Sequence, residues 1–265
     1  MTTTTSHWPD PWPKTDEEVR RWRICDPYER YFQNRANVVE RLFDQDLQSI
    51  DAIALAVVSL GALAEFRFAP EMPKEARRDK DQYCFRRLLT EHCTSFLNRV
   101  SIPELLRATR TDPQFAAFEA PVKAKYPVAR FYQVREVGED PLVADFTAWA
   151  DANCPGVPRQ YDYAGCIHRH YRNAVIHELR VAGGREAGYF GNVEEDGPIY
   201  YVNGPHDDDP ELDAADQLMQ ADPVEYIRFG VYPPYLLALL REAIVSVRGW
   251  ALANDRDLFG IAGDD

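Results

Sequence analysis

The chain has 265 residues, 45% of them hydrophobic and 12% aromatic, which excludes a globally disordered protein and leaves room for one large domain or two small ones. Its formal net charge of −13 excludes a general nucleic-acid binder working by long-range attraction, because phosphate is bound by positive charge; an RNA-directed role needs a local basic site. Cys25, Cys84, Cys93, Cys154 and Cys166 are odd in number, widely spread and form no Cys-x-x-Cys pair, a pattern that fits a reducing cytosol better than a disulfide framework.

Residues 1–14, rich in Thr, Pro and Trp, read as an extended N-terminal arm, with no basic and apolar run of a secretory leader. A single domain is expected over 15–265. Thr15 followed by Asp16, Glu17 and Glu18 marks a helix start, an N-cap with acids in the first turn. The helical pattern runs from there to about Phe43, with Pro27 as a candidate break. Residues 47–66 are apolar on nearly every side and predict a buried core helix. The apolar run inside it, Ile53 to Ala64, is shorter than the ~20 residues that span a bilayer, so no membrane is expected. Pro70 and Pro73 end this helix, and a charged loop, 74–81, follows.

Residues 82–99 predict an amphipathic helix through Tyr83, Phe85, Leu88, Leu89, His92, Phe96 and Leu97, and a short helix starts at Ile102-Pro103. Residues 111–140 carry mixed patterning and receive no assignment; 141–153 read as helical. A clear helix is predicted over 162–181, stopped by Gly183-Gly184. Tyr189-Phe190 and Ile199-Tyr200-Tyr201-Val202 flank Glu194-Glu195-Asp196-Gly197 and predict a small β-hairpin inside an acidic insertion over about 186–232. Pro233 or Pro234 then opens a last amphipathic helix through Trp250. The fold class expected is mainly α, a helical bundle with a small β-hairpin insertion.

At about 100° per residue, Ala164, Ile167, Tyr171, Ala174, Val175 and Leu179 gather on one side of the 162–181 helix, and Arg169, His170, Asn173, His177 and Arg180 on the other. Arg172 lies at the edge of that polar ridge. Such a ridge is ordinarily a solvated face. It also holds what metal-free RNA cleavage needs: imidazole for proton transfer near neutral pH, guanidinium for phosphate oxygens and an amide to orient either.

The run His170-Tyr171-Arg172-Asn173-Ala174-Val175-Ile176-His177-Glu178-Leu179-Arg180 resembles the signature of the HEPN superfamily, an Arg followed after four to six residues by His, with a polar residue directly after the Arg. The match places Arg172, Asn173 and His177 on the motif positions. The context is similar too: an alanine-rich helix ending Ala62-Leu63-Ala64-Glu65-Phe66-Arg67-Phe68 comes earlier, and a hairpin and a closing helix come later. The resemblance covers residues 35–255 loosely.

The resemblance implies a homodimer in which two motif helices form a composite site, and a metal-independent endoribonuclease of toxin–antitoxin or phage-defence type, cytoplasmic and without cofactor. On that reading His177 is the general acid or base, Arg172 binds phosphate and Asn173 orients. Arg169, His170 and Arg180 line the RNA path, and a cognate antitoxin or inhibitor protein is a candidate partner. The alternative is a non-catalytic HEPN-like module that binds a nucleotide, RNA or protein. From Arg159 to Arg185 five arginines face two acids, whereas Glu186 to Glu225 holds twelve acids and no Lys or Arg. The acidic segment either projects away or folds back as a gate, and projection is the expectation.

Other candidates are set aside. His206-Asp207-Asp208-Asp209 reads as a solvated loop rather than a metal site, so no metal is expected. Cys84, His92 and Cys93 lack zinc spacing. His168 neighbours the ridge and reads as incidental.

Overall fold

The computed structural model describes residues 15–46, 49–74, 79–93, 97–128, 140–173, 198–203, 224 and 227–256. Helix α1, Asp16–Gln45, begins at Thr15, whose side chain accepts from the Glu18 amide while Glu18 returns a bond to the Thr15 amide. It continues through Pro27, the candidate break. Tyr28, Phe32, Ala36, Val39 and Phe43 are buried along it at helical spacing.

Helix α2, Ile50–Phe68, starts on a Ser49 cap and extends into a 3-10 turn, Ala69–Glu71. Together they make a 22-residue segment long and apolar enough to cross a membrane, longer than the apolar run alone suggested. It is nevertheless the central core helix: Ala52, Ile53, Ala56, Val57, Leu60, Leu63 and Ala64 are buried among α1, helix α3 (Lys80–His92) and the last helix. The amphipathic segment expected over 82–99 is therefore helical only to His92, with Leu97 buried beyond it and Arg99 and Val100 in isolated β-bridges.

Helix α4, Ile102–Thr111, starts on Ser101 with Pro103 in its first turn. The stretch after it contains a 3-10 helix, Pro113–Phe118, and α5, Glu119–Lys125. Helix α6 spans Val143–Asn153. The motif segment begins as α7, Tyr163–Ile167, and changes at His168 into a π-helical turn, His168–Asn173. Residues 174–197 lie outside the described residues. With them fall the rest of the predicted 162–181 helix and the expected first hairpin strand, Tyr189-Phe190.

Strand β1, Ile199–Asn203, pairs antiparallel with β2, Ile227–Val231, with Ile199 opposite Val231 and Tyr201 opposite Phe229. The predicted strand is present; its partner is a segment that received no strand assignment from the sequence. Helix α8, Pro233–Ala253, closes the chain order on two prolines in its first turn. Helices hold 78% of the described residues, so the fold is mainly α.

Buried residues fall into two cores. The larger joins α1, α2, α3, α7, the two strands and α8. The smaller joins α4, α5 and α6 through Leu105, Leu106, Val122, Phe146 and Ala150. They meet at Asp140, 1% exposed. One of its carboxylate oxygens accepts from the Ile102 amide at 3.1 Å. The other accepts from the hydroxyls of Tyr163 at 2.9 Å and Tyr201 at 2.6 Å. Because Tyr201 has given its only proton to Asp140, the 2.6 Å contact between Ser101 and Tyr201 has Ser101 as donor.

Asp140→Ala strands one amide and two hydroxyls in the interior. It should lower unfolding free energy by about 3–5 kcal/mol, against about 1 kcal/mol for Tyr201→Phe. Urea denaturation of both variants checks this. A loss below ~1 kcal/mol for Asp140→Ala would show that the carboxylate does not join the two cores.

Candidate functional site

Asp162 sets the position of the motif segment. Its side chain caps α7 by accepting from the Gly165 amide at 2.7 Å. Arg86 of α3 grips the same carboxylate at 2.5 and 3.2 Å and donates to the Arg159 carbonyl at 3.1 Å. A Cβ on Gly165 would lie 2.1 Å from the Gln160 carbonyl oxygen, so only glycine lets α7 start so close to the preceding loop.

Beyond Ile167 the backbone follows i→i+5 bonding, a rare local form that recurs at functional sites. Side chains in this turn no longer follow a 100° wheel. Tyr171 remains buried as predicted; its hydroxyl accepts from the Val231 amide at 2.6 Å, and burial pushes its pKa well above the usual tyrosine range. His168 also turns inward: it is 4% exposed, packs against Phe85 with ring centres 5.4 Å apart, and its Nε2 has no hydrogen-bond partner among the described residues.

The polar residues of the expected ridge separate. Arg169 lies over the Tyr161 ring at 4.1 Å. His170 stacks on Phe229 and places Nε2 2.9 Å from the Glu104 carboxylate. Glu104 is 3% exposed and also pairs with Arg107. Burial alone would raise the Glu104 pKa, but the charges and hydrogen bonds of His170 and Arg107 outweigh it and hold the carboxyl well below its usual range. Arg107 further donates to the carbonyls of Val224 and Ile227, so this cluster ties α4 to β2. The structure does not bring Arg169 or His170 to the cleft that holds the next two residues.

That cleft has a volume of about 420 Å³ and is lined by residues 79–82 at the start of α3 together with His168, Arg172 and Asn173. Arg172 pairs with Asp81 at 2.7 Å and donates to the Asn173 side-chain oxygen at 3.3 Å. Its Nε would stand 3.8 Å from a Cβ built on Gly61, so the guanidinium crosses α2 at that glycine. Lys80 is held by Glu65 at 2.9 Å, and this bond raises its pKa. Burial, then the Arg172 charge, lowers the His168 pKa to about 4. At neutral pH the cleft therefore offers a fixed cation, an amide and an uncharged imidazole. This set can hold an anion.

His177 and Arg180 lie outside the described residues. Sequence reasoning missed the α3 start and His168. Nothing in linear spacing joins 79–82 to 168–173. His168, however, falls beside Ala164 on the apolar side of the wheel, and a titratable group there needs a reason. Among the described residues no cluster of three His, Cys, Asp or Glu side chains is arranged to hold a metal.

A second recess, about 560 Å³, lies between the end of α3 and α8. There His92 Nδ1 is 2.8 Å from Ser246 Oγ, while its Nε2 is buried with no hydrogen-bond partner among the described residues.

The unfolded chain protonates His168 near the usual pH of about 6.5, whereas the folded chain does so only near 4. Stability present above that unfolded value is lost as pH falls toward the folded one. Discounted for access through the cleft, the loss by about pH 5 is roughly 1–2 kcal/mol. His168→Leu should flatten the pH dependence of urea unfolding by that amount; an unchanged slope would mean that the imidazole is not held neutral. Comparison of the chain with protein-family models, curated proteins and solved structures gives no match, and the functional reading therefore rests on the site's own geometry and the motif resemblance.

Proposed function

We propose that this protein is a metal-independent endoribonuclease of the HEPN type. One observation carries the proposal: Arg172 and Asn173, the first two motif residues, reach a cleft together with a neutral histidine. A volume of about 420 Å³ accommodates a phosphate and part of its sugar. In the proposed reaction the ribose 2′-oxygen attacks the adjacent phosphorus, and the bond to the 5′-oxygen breaks. A base removes the 2′-hydroxyl proton, and an acid protonates the leaving 5′-oxygen. The products are a 2′,3′-cyclic phosphate and a 5′-hydroxyl. Arg172 neutralises charge on the phosphoryl oxygens, Asn173 orients, and the motif assigns His177 to proton transfer. His168 supplies a second, uncharged imidazole beside Arg172 and Asn173.

The resemblance supports a homodimer with motif segments facing across the two-fold axis, a cytoplasmic setting, and regulation by an antitoxin or inhibitor protein. A non-catalytic module that binds a nucleotide, RNA or protein is favoured by a different observation: Arg169, His170 and Arg172 each already have an in-chain partner.

RNA cleavage by the purified protein separates the two. Arg172→Ala and His177→Ala should each reduce cleavage by at least about 100-fold, within the range of losing a catalytic proton or charge. Circular dichroism should be unchanged and EDTA without effect. Wild-type rates in either variant, or a need for magnesium, would overturn the mechanism. Oligonucleotide binding without cleavage selects the second reading, and a strict monomer by light scattering at micromolar concentration removes the composite site.

A further inference from the structure

Helix α3 presents its first turn to the cleft. It is 13 residues long, and its N-cap residue Asp79 makes no side-chain capping bond. The first amides of an α-helix have no partner within the helix and carry the positive end of its dipole, an arrangement that binds anions. The chain supplies an anion of its own, since Asp81 in that turn pairs with Arg172. The Asp81 side chain is 47% exposed whereas the Arg172 side chain is 17% exposed. The carboxylate can therefore rotate into solvent while the guanidinium stays.

An independent feature marks the same place. His168 is 4% exposed and its Nε2 finds no hydrogen-bond partner among the described residues, yet the residue lines this cleft. A buried ring nitrogen without a partner costs free energy unless a ligand or water completes it. Lys80 is engaged by Glu65 and adds long-range attraction only.

We infer that the cleft is a phosphoryl-binding site in which the first-turn amides of α3, Arg172 and the His168 ring surround the phosphate oxygens, and that Asp81 is an in-chain competitor for that position. The inference rests on the proposed function for the source of the phosphoryl group, an RNA phosphate. It goes beyond that reading by assigning part of the binding to backbone 90 residues upstream of the motif and by making the resting site self-occupied. Binding then exchanges one Arg172 partner for another. This keeps affinity low and makes it depend on how tightly Asp81 is held.

Inorganic phosphate is the probe, followed by amide and imidazole nitrogen chemical shifts of the full chain. Phosphate should shift the Asp81 and Gln82 amides and the His168 ring together. Asp81→Asn should tighten binding about three- to fivefold, the scale of releasing one partly exposed ion pair, with the gain shrinking as salt is added. Arg172→Gln should weaken it about tenfold or more, the scale of a lost charge-assisted bond. Asp81→Ser repeats the release with a different side chain, in case the amide of Asn makes a new bond. A free phosphate and a dinucleotide with one internal phosphate, titrated separately, distinguish the two sources. Phosphate that leaves these amides unshifted, or binds no more tightly to either Asp81 variant, would sink the inference even if RNA is cleaved. Shifts at these positions in a protein that cleaves no RNA would uphold it while the proposed activity falls.

Discussion

The site depends on how the Asp162 carboxylate is shared. One side chain ends the preceding loop, caps α7 through the Gly165 amide and receives the Arg86 guanidinium from α3. Asp162 is only 5% exposed, and the Arg86 cation and the Gly165 amide replace the water it has lost. The clasp holds α3 and the motif segment as neighbours. The same pair of elements, one turn of helix away, provides the two walls of the cleft: residues 79–82 on one side and 168–173 on the other. Below this junction, Asp140 joins the larger core to the smaller one through two tyrosines and the α4 amide.

The helical framework was legible from the sequence because apolar residues recur at helical spacing. Tyr28, Phe32, Ala36, Val39 and Phe43 on α1, and Phe85, Leu88, Leu89 and His92 on α3, are buried together for this reason. The Thr15 cap and the prolines opening α8 were legible through equally local chemistry. Pro27, a candidate break, does not interrupt α1, because a helix that long is fixed by packing on α2 and α8 and tolerates an interior proline. Strand β2 was invisible for a different reason. Ile227–Val231 contains Gly230 and follows the acidic stretch, and its strand character comes from pairing with β1.

For the site, the sequence singled out Arg172 and Asn173 but not their surroundings. A regular wheel put Arg169 and His170 beside them on one ridge. The π turn and two acceptors outside the segment, the Tyr161 ring and the Glu104 carboxylate, instead draw those side chains elsewhere. Asp81 and His168 complete the cleft through tertiary contacts that no periodicity encodes. The overall acidity of the chain acquires a local meaning here. Three described cations near the motif are each paired with a carboxylate, Arg86 with Asp162, Arg107 with Glu104 and Arg172 with Asp81. The molecule's negative charge is therefore partly a set of fixed counter-ions rather than a uniform repulsive field.

The π turn fixes angular phase. Relative to an α-helix, a segment bonded i→i+5 accommodates one additional residue in the same length of ladder, which rotates every later side chain by roughly 100° about the axis. The position of Asn173 thus depends on a chain-length count inside His168–Asn173, not only on which residues occupy it. Removing any one residue of this turn would let the ladder revert to α geometry without loss of hydrogen bonding. Tyr171, anchored to Val231 through its hydroxyl, would then oppose that reversion from one end while the Asp162 cap holds the other. Between those two anchors the extra residue is trapped, much as a dislocation is pinned between two fixed points in a crystal. The direction in which Arg172 and Asn173 point is a property of that trapped step.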